Sequence, residues 1–121
     1  MKFQLLENQD QLNNAIKLSF ETPVLLIKHS ERCSISRMAI SRLERDWDSQ
    51  SLISPYLIEV REQRGISDAI TQNFSIIHQS PQILLIEKGK CVYTESHNGI
   101  NFQDIKCSSL AQYSQLHALK I

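Results

Sequence analysis

The sequence predicts an α/β protein in which helices flank a mixed central sheet. Three observations carry that expectation. Up to residue 74, short apolar runs of strand length alternate with segments of helical period. Beyond residue 80 the alternation stops, and two strand-like runs flank Lys88-Gly89-Lys90, a turn signature that folds the second run back antiparallel. Between these regions, Val24-Leu25-Leu26-Ile27 leads through a polar stretch into Cys33 and then into a helical pattern. The order there is buried strand, short loop, cysteine, helix.

The elements follow in order. Phe3-Gln4-Leu5-Leu6 reads as a first strand. Asn8 with Gln11 three residues on is a helix-start signal. Leu12, Ala15 and Ile16 give that helix a buried face, extended here to Phe20, and Thr22-Pro23 ends it. The second strand is expected over 24–29. Ile35, Ala39, Leu43 and Trp47 recur at every fourth position and are assigned to the inner face of a helix over 34–47. A third strand over 56–60 follows Pro55, and 61–65 is a charged loop. Ile66, Ala69, Ile70 and Phe74 mark a third helix over roughly 65–73. The hairpin strands are 82–87 and 91–95, with Gly89 free to take a positive φ. A closing helix opens over 101–106. Leu110, Tyr113, Leu116 and His117 continue a helical period, so 107–121 is expected to be a helical extension of a single domain covering 1–121.

Composition narrows the function classes. The chain has 121 residues, a length suited to one domain with a core of its own. Thirteen basic residues balance thirteen acidic ones, so no net field favours nucleic acid. No apolar run reaches membrane-spanning length and no signal-peptide core follows Met1, so a cytoplasmic protein without a membrane partner is expected. Cys33, Cys91 and Cys107 are an odd count without framework spacing, which fits a reducing compartment. The spacings of His29, His78, His97 and His117 around Cys33 match no zinc pattern, and no metal is expected. Neither a phosphatase loop, a nucleophile elbow nor a glycine-rich phosphate loop is present.

Cys33 is the chemical centre. A free cysteine is often a small buried hydrophobe, but a thiol at a helix N-terminus meets unpaired backbone N–H groups and the positive end of the helix dipole, which favour the thiolate. Arg32 and Arg37 are expected to add positive charge. A thiolate so placed is a nucleophile toward disulfides. Ser36, not a second cysteine, stands three residues on, so the chemistry is monothiol. Cys91 and Cys107 read as structural thiols, and either is a resolving thiol only if the fold brings it to Cys33. Pro81 opens a strand; taken from its residues only, its peptide bond would be trans.

A parallel core, a terminal hairpin and a closing helix are the thioredoxin order. Three stretches point further. Lys28-His29-Ser30-x-x-Cys33-x-Ile35-Ser36 joins strand to helix, His78-x-Ser80-Pro81-Gln82 precedes the fourth strand, and Ser96-His97 follows the fifth. Together they resemble the thioredoxin-like monothiol bacilliredoxins, over roughly residues 3–105. That resemblance implies a thioredoxin-like fold and a thiol-disulfide oxidoreductase acting on mixed disulfides between client proteins and a low-molecular-weight thiol of the bacillithiol type. The small thiol is then a co-substrate, and no cofactor is needed. Cys33 is the implied nucleophile, and Ser34, Ser36, Ser80 and a cis Pro81 line the substrate groove, with Arg32, His29, His78 and His97 in support. His29 is expected to pack at its strand end and His97 to cap a loop. The family run Thr-Cys-Pro-Ile-Ser is here Arg32-Cys33-Ser34-Ile35-Ser36, with Arg and Ser replacing Thr and Pro. A thioredoxin-fold binding module without turnover is the other function class compatible with these residues.

Overall fold

Five strands and four helices make up the fold, with strict alternation as far as β4, in a computed structural model that describes residues 3–110. They are β1 (Gln4–Leu5), α1 (Gln9–Leu18), β2 (Val24–His29), α2 (Ser34–Asp46), β3 (Ser54–Glu59), α3 (Arg64–Phe74), β4 (Gln82–Glu87), β5 (Lys90–Ser96) and α4 (Phe102–Ser108), with a short 3-10 turn at His97–Gly99. The strands form one sheet in the order β1-β3-β2-β4-β5. β1, β3 and β2 are parallel, and β4 runs antiparallel to both β2 and β5. The sheet is therefore mixed, with β2 at its centre.

Strand alternation splits the core into two layers. Leu25, Ile27, Leu57, Ile83 and Leu85 face α2 and α4, where they meet Ala39, Ile40, Leu43, Phe102 and Ile105. Val24, Leu26, Ile58, Leu84 and Ile86 face α1 and α3, where they meet Leu12, Ala15, Ile66 and Ile70. Every residue of β2 and of β4 is buried, as strands covered on both faces and paired on both sides require. Trp47 closes the first layer, stacked edge-on against Phe3 at 5.4 Å and tilted against Phe102 at 4.7 Å.

Local chemistry explains the boundaries. The Asn8 side chain caps α1 by accepting the Gln11 N–H at 2.8 Å, and Asn101 caps α4 by accepting the Asp104 N–H at 2.9 Å. Gln11 reaches back to the Glu7 N–H, one residue before the cap. Lys88 and Gly89 both have positive φ, 52° and 77°, which makes the two-residue turn that matches strand twist in a hairpin. The turn is latched to the end of α1. Ser19 accepts the Lys88 N–H with its carbonyl and the Gly89 N–H with its hydroxyl, at 2.7 and 3.0 Å. A Cβ on Gly89 would lie 2.9 Å from the Phe20 ring.

Several expectations are corrected. β3 starts at Ser54 and carries Pro55 within it; β1 pairs only Tyr56 and Leu57, so Pro55 faces no donor-seeking neighbour on that side. Phe20 is not part of the buried face of α1: the helix ends at Leu18 and the ring is exposed beside Gly89. Ile35 is exposed, because the inner face of α2 is Ser36, Ala39, Ile40 and Leu43. α4 runs on through Ser108, and Ser109 and Leu110 are tied to the Glu87 carboxylate at 2.7 and 3.1 Å. The helical period assigned to Tyr113, Leu116 and His117 lies outside the described residues, as does 111–121 of the expected extension.

Candidate functional site

Strand pairing brings the three sequence motifs to one end of the sheet, where β2 and β5 finish and β4 begins. Lys28 at the end of β2 pairs with Gln82 at the start of β4, and Gln82 pairs with Ser96 at the end of β5. The loop into α2, the loop ending in Pro81 and the turn at His97 therefore adjoin. Cys33 is the N-cap residue of α2, half-buried, and its side chain makes no capping bond. All three cysteines are free.

The loop that carries Cys33 is held at Ser30, Glu31 and Cys33. The Cys33 N–H donates to the Ser30 carbonyl at 3.1 Å, and the Ser30 N–H donates to the Ser36 hydroxyl at 2.9 Å. The Glu31 N–H donates to the Glu59 carboxylate at 2.7 Å, whose other oxygen takes the Arg61 N–H at 2.8 Å. The Arg37 guanidinium donates to the Glu31 carbonyl at 2.8 Å. Arg37 thus braces the loop's backbone, and its positive charge also acts on the Glu31 carboxylate. Arg32 is exposed.

His29 and Ser36 form a buried pair. His29 Nδ1 lies 2.6 Å from Ser36 Oγ, and His29 Nε2 lies 2.7 Å from the Glu31 carboxylate. In the neutral ring, Nε2–H donates to Glu31 and Nδ1 accepts the Ser36 hydroxyl proton, which leaves Ser36 Oγ to accept from Ser30. The hydrogen bond from His29 holds the Glu31 carboxyl below its ordinary range, with the nearby positive groups adding to the effect. Ser36 is fully buried in this network. Its hydroxyl is spent on His29 and Ser30, not turned outward into a groove. Ser34 is exposed on the first turn of α2.

The opposite face of β2 carries a second network, in which His78, expected in support of the groove, is joined by Lys28 and Thr71, for which no role is expected from the sequence. Lys28 is completely buried. Its Nζ donates to Thr71 Oγ1 at 2.8 Å and to His78 Nδ1 at 3.1 Å. Burial pushes the Lys28 ammonium's pKa down, and the Asp68 carboxylate partly restores it. His78 is also pushed down, first by desolvation and then by Lys28, against the pull of Asp68. Gln82 completes the scaffold, donating to the Ile77 carbonyl at 3.0 Å and accepting the Gln79 N–H at 3.3 Å. The signals for these roles were a lysine at the end of an apolar run and a glutamine opening a buried strand.

Pro81 is buried, the Ser80–Pro81 peptide bond is cis, and the Pro81 carbonyl accepts the His97 N–H at 3.0 Å. His97 has a left-handed φ of 54° and an exposed side chain, so its tie to this loop runs through its backbone. Ser80 Oγ is buried without a partner among the described residues. Cys91 lies on β5 among the α1 and α3 layer, where burial pushes its thiol up. Cys107, read as a structural thiol, is instead exposed on α4. No three His, Cys, Asp or Glu side chains converge on a metal-sized site among the described residues, and no described helix is long and apolar enough to cross a membrane.

Comparison with known proteins places this arrangement. A proposed oxidoreductase with a thioredoxin fold superposes with a TM-score of 0.72 at 29% identity, over 87% of this chain and 91% of that one. Thioredoxin from Malassezia sympodialis gives 0.70 at 16% identity, covering 88% of this chain and 87% of that one. Thioredoxin from Trypanosoma brucei brucei gives 0.67 at 9% identity over 99% and 93%. These last two share the fold, which is thioredoxin-like. The family described as monothiol bacilliredoxin BrxC matches residues 4–105. With its thiol at the head of α2 and its proline loop at the same end of the sheet, the chain belongs to the monothiol bacilliredoxin family.

Proposed function

We propose that this protein is a monothiol oxidoreductase that removes a bacillithiol-type small thiol from client proteins, with Cys33 as nucleophile. The observation that carries the reading is Cys33 at the N-cap of α2 with its side chain uncommitted, while the position of a second thiol is filled by a buried, fully engaged Ser36. Membership of the family supports a thiol redox role.

In this mechanism the Cys33 thiolate attacks the small thiol's sulfur in the mixed disulfide. The old S–S bond breaks as the new one forms, the client leaves as a thiolate and takes a proton from water, and Cys33 carries the small thiol. A second small thiol or a reductase then attacks that disulfide and returns Cys33 to the thiolate. Ser34, Ser80 and Pro81 flank the approach to Cys33 in this reading, Ser80 offering backbone groups to an extended client segment. His29, through Ser36 and Glu31, positions the loop and does not touch substrate. The partners are S-thiolated proteins and the small thiol, in a reducing, cytoplasmic setting.

The test uses a client protein carrying bacillithiol as a mixed disulfide, with release followed by mass spectrometry. Cys33→Ser abolishes release, while Cys91→Ser and Cys107→Ser leave the first step intact. Full release by Cys33→Ser overturns the assignment. Binding of the client without release, by a chain whose Cys33 is intact, would favour a binding module.

A further inference from the structure

A groove of about 550 Å³ runs along the outer side of α2, lined by Ser34, Arg37, Met38, Ser41, Arg42 and Arg45. It begins at the residue that follows Cys33. Three of its six lining residues are arginines and none is acidic, although the chain as a whole carries no net charge. The arginines are not consumed by their neighbours. Arg37 gives one nitrogen to the Glu31 carbonyl, and Arg42 gives one to the Ile100 carbonyl at 3.3 Å. Arg45 pairs with Asp46 at 2.9 and 3.1 Å. Each guanidinium has five N–H donors, so each retains donors for a ligand. At 1.5 Å per residue, Ser34 to Arg45 spans about 16 Å of helix, enough for a small thiol joined to Cys33 to lie along it.

We propose that this groove holds the carboxylate end of the low-molecular-weight thiol while its sulfur is exchanged at Cys33. The inference rests on the functional reading above and adds the place on the fold, the outer side of α2, where the thiol's carboxylates are held. Arg42 and Arg45 would take the carboxylates, Arg37 would lie between them and the thiol, and Met38 would cover the apolar part of the ligand. Planar guanidinium forks suit carboxylates geometrically as well as by charge.

The experiment measures Cys33 exchange with two disulfide probes in Cys91→Ser/Cys107→Ser protein: anionic dithiobis(nitrobenzoate) and uncharged dithiodipyridine. Cys33 attacks either probe, one half becomes a mixed disulfide, and the other leaves as a coloured thiolate or thione. The readout is the ratio of anionic to neutral rate constants, relative to the parent, which cancels the probes' different leaving groups. Arg42→Gln/Arg45→Gln lowers that ratio about tenfold, and added salt lowers it in the parent. Arg42→Lys/Arg45→Lys, which keeps the charge, restores most of it. Lys17→Gln, at the far end of the sheet, removes a positive charge away from the groove and leaves the ratio within about twofold. A ratio within twofold of the parent in the double Gln variant overturns the groove assignment and leaves the functional reading standing. A Cys33 inert toward both probes overturns the functional reading, and the groove with it. Repeating the series with glutathione disulfide and bacillithiol disulfide shows which carboxylate-bearing thiol depends more on the groove.

Discussion

Lys28 and His29 are consecutive residues of one strand, both buried, and they do different work on opposite faces of the sheet. His29 faces α2 and joins the loop of Cys33 to that helix through Ser36 and Glu31. Lys28 faces α3 and joins that helix to the loop ahead of Pro81 through Thr71 and His78. The pleat sends neighbouring side chains to opposite faces, so two residues at one strand end hold two loops at the same end of the sheet. They differ in what burial demands of them. His29 has a partner at each ring nitrogen, whereas the Lys28 ammonium must shed water for a hydroxyl, an imidazole and a more distant carboxylate.

Variants separate these two anchors. Lys28→Ala loses the aliphatic stem and strands Thr71 and His78, and is expected to cost about 2–4 kcal/mol in urea denaturation. Ser36→Ala leaves the Ser30 N–H without its acceptor and is expected to cost about 1–3 kcal/mol, with faster amide exchange at Ser30. Equal exchange at Ser30 in parent and variant would show that the α2 anchor does not hold the loop. Lys28→Met retains most of the stem's volume and removes the charge, and is expected to change stability by no more than about 1 kcal/mol at neutral pH.

The Lys28→Met comparison acquires a pH dependence of known sign. Lys28 has a lowered pKa in the folded protein, so the folded state binds fewer protons than the unfolded state between that lowered value and the ordinary 10.5. Parent stability therefore rises relative to Lys28→Met as pH increases through this window. Parallel unfolding curves across alkaline pH would remove the charge-burial account. The smallest effect is on His78. It titrates below its ordinary 6.5, partly because of Lys28, and Lys28→Met should move its NMR titration part of the way back. Desolvation, the larger cause, persists in the variant.

Much of this was legible in the chain. Alternating apolar runs, the Asn8 cap and the glycine turn each act locally, and each element they imply is present. Cys33 at the head of a helix was legible for the same reason. Ala39, Leu43 and Trp47 do lie on the inner face of α2 and Ile35 does not, because a four-residue spacing advances about 40° per step beyond a full turn. Three such steps from Ile35 to Trp47 sweep about 120°, roughly a third of the circumference, and Ile35, at one end of that arc, falls outside the buried stripe. Lys28 was not recognised as an anchor because lysine is almost never fully buried without a partner, and its partners are 43 and 50 residues away. The roles of Ser36 and Arg37 were hidden for a similar reason. Residue type shows that a hydroxyl or guanidinium can bond, and only the fold shows that Ser30 and Glu31 have taken those bonds.

The latch between Ser19 and the hairpin turn constrains how the chain can assemble. Its Gly89 bond joins residues 70 apart in sequence. The β4–β5 turn itself is local and needs little loop closure, but the latch requires α1 and the hairpin to have been brought together across the intervening strands. Lys88 and Gly89 can thus adopt their turn early, while their amides gain the Ser19 acceptors only when the ends of that long segment meet. The turn is a local decision and the latch a global one, so protection of the Gly89 amide records closure of the whole sheet.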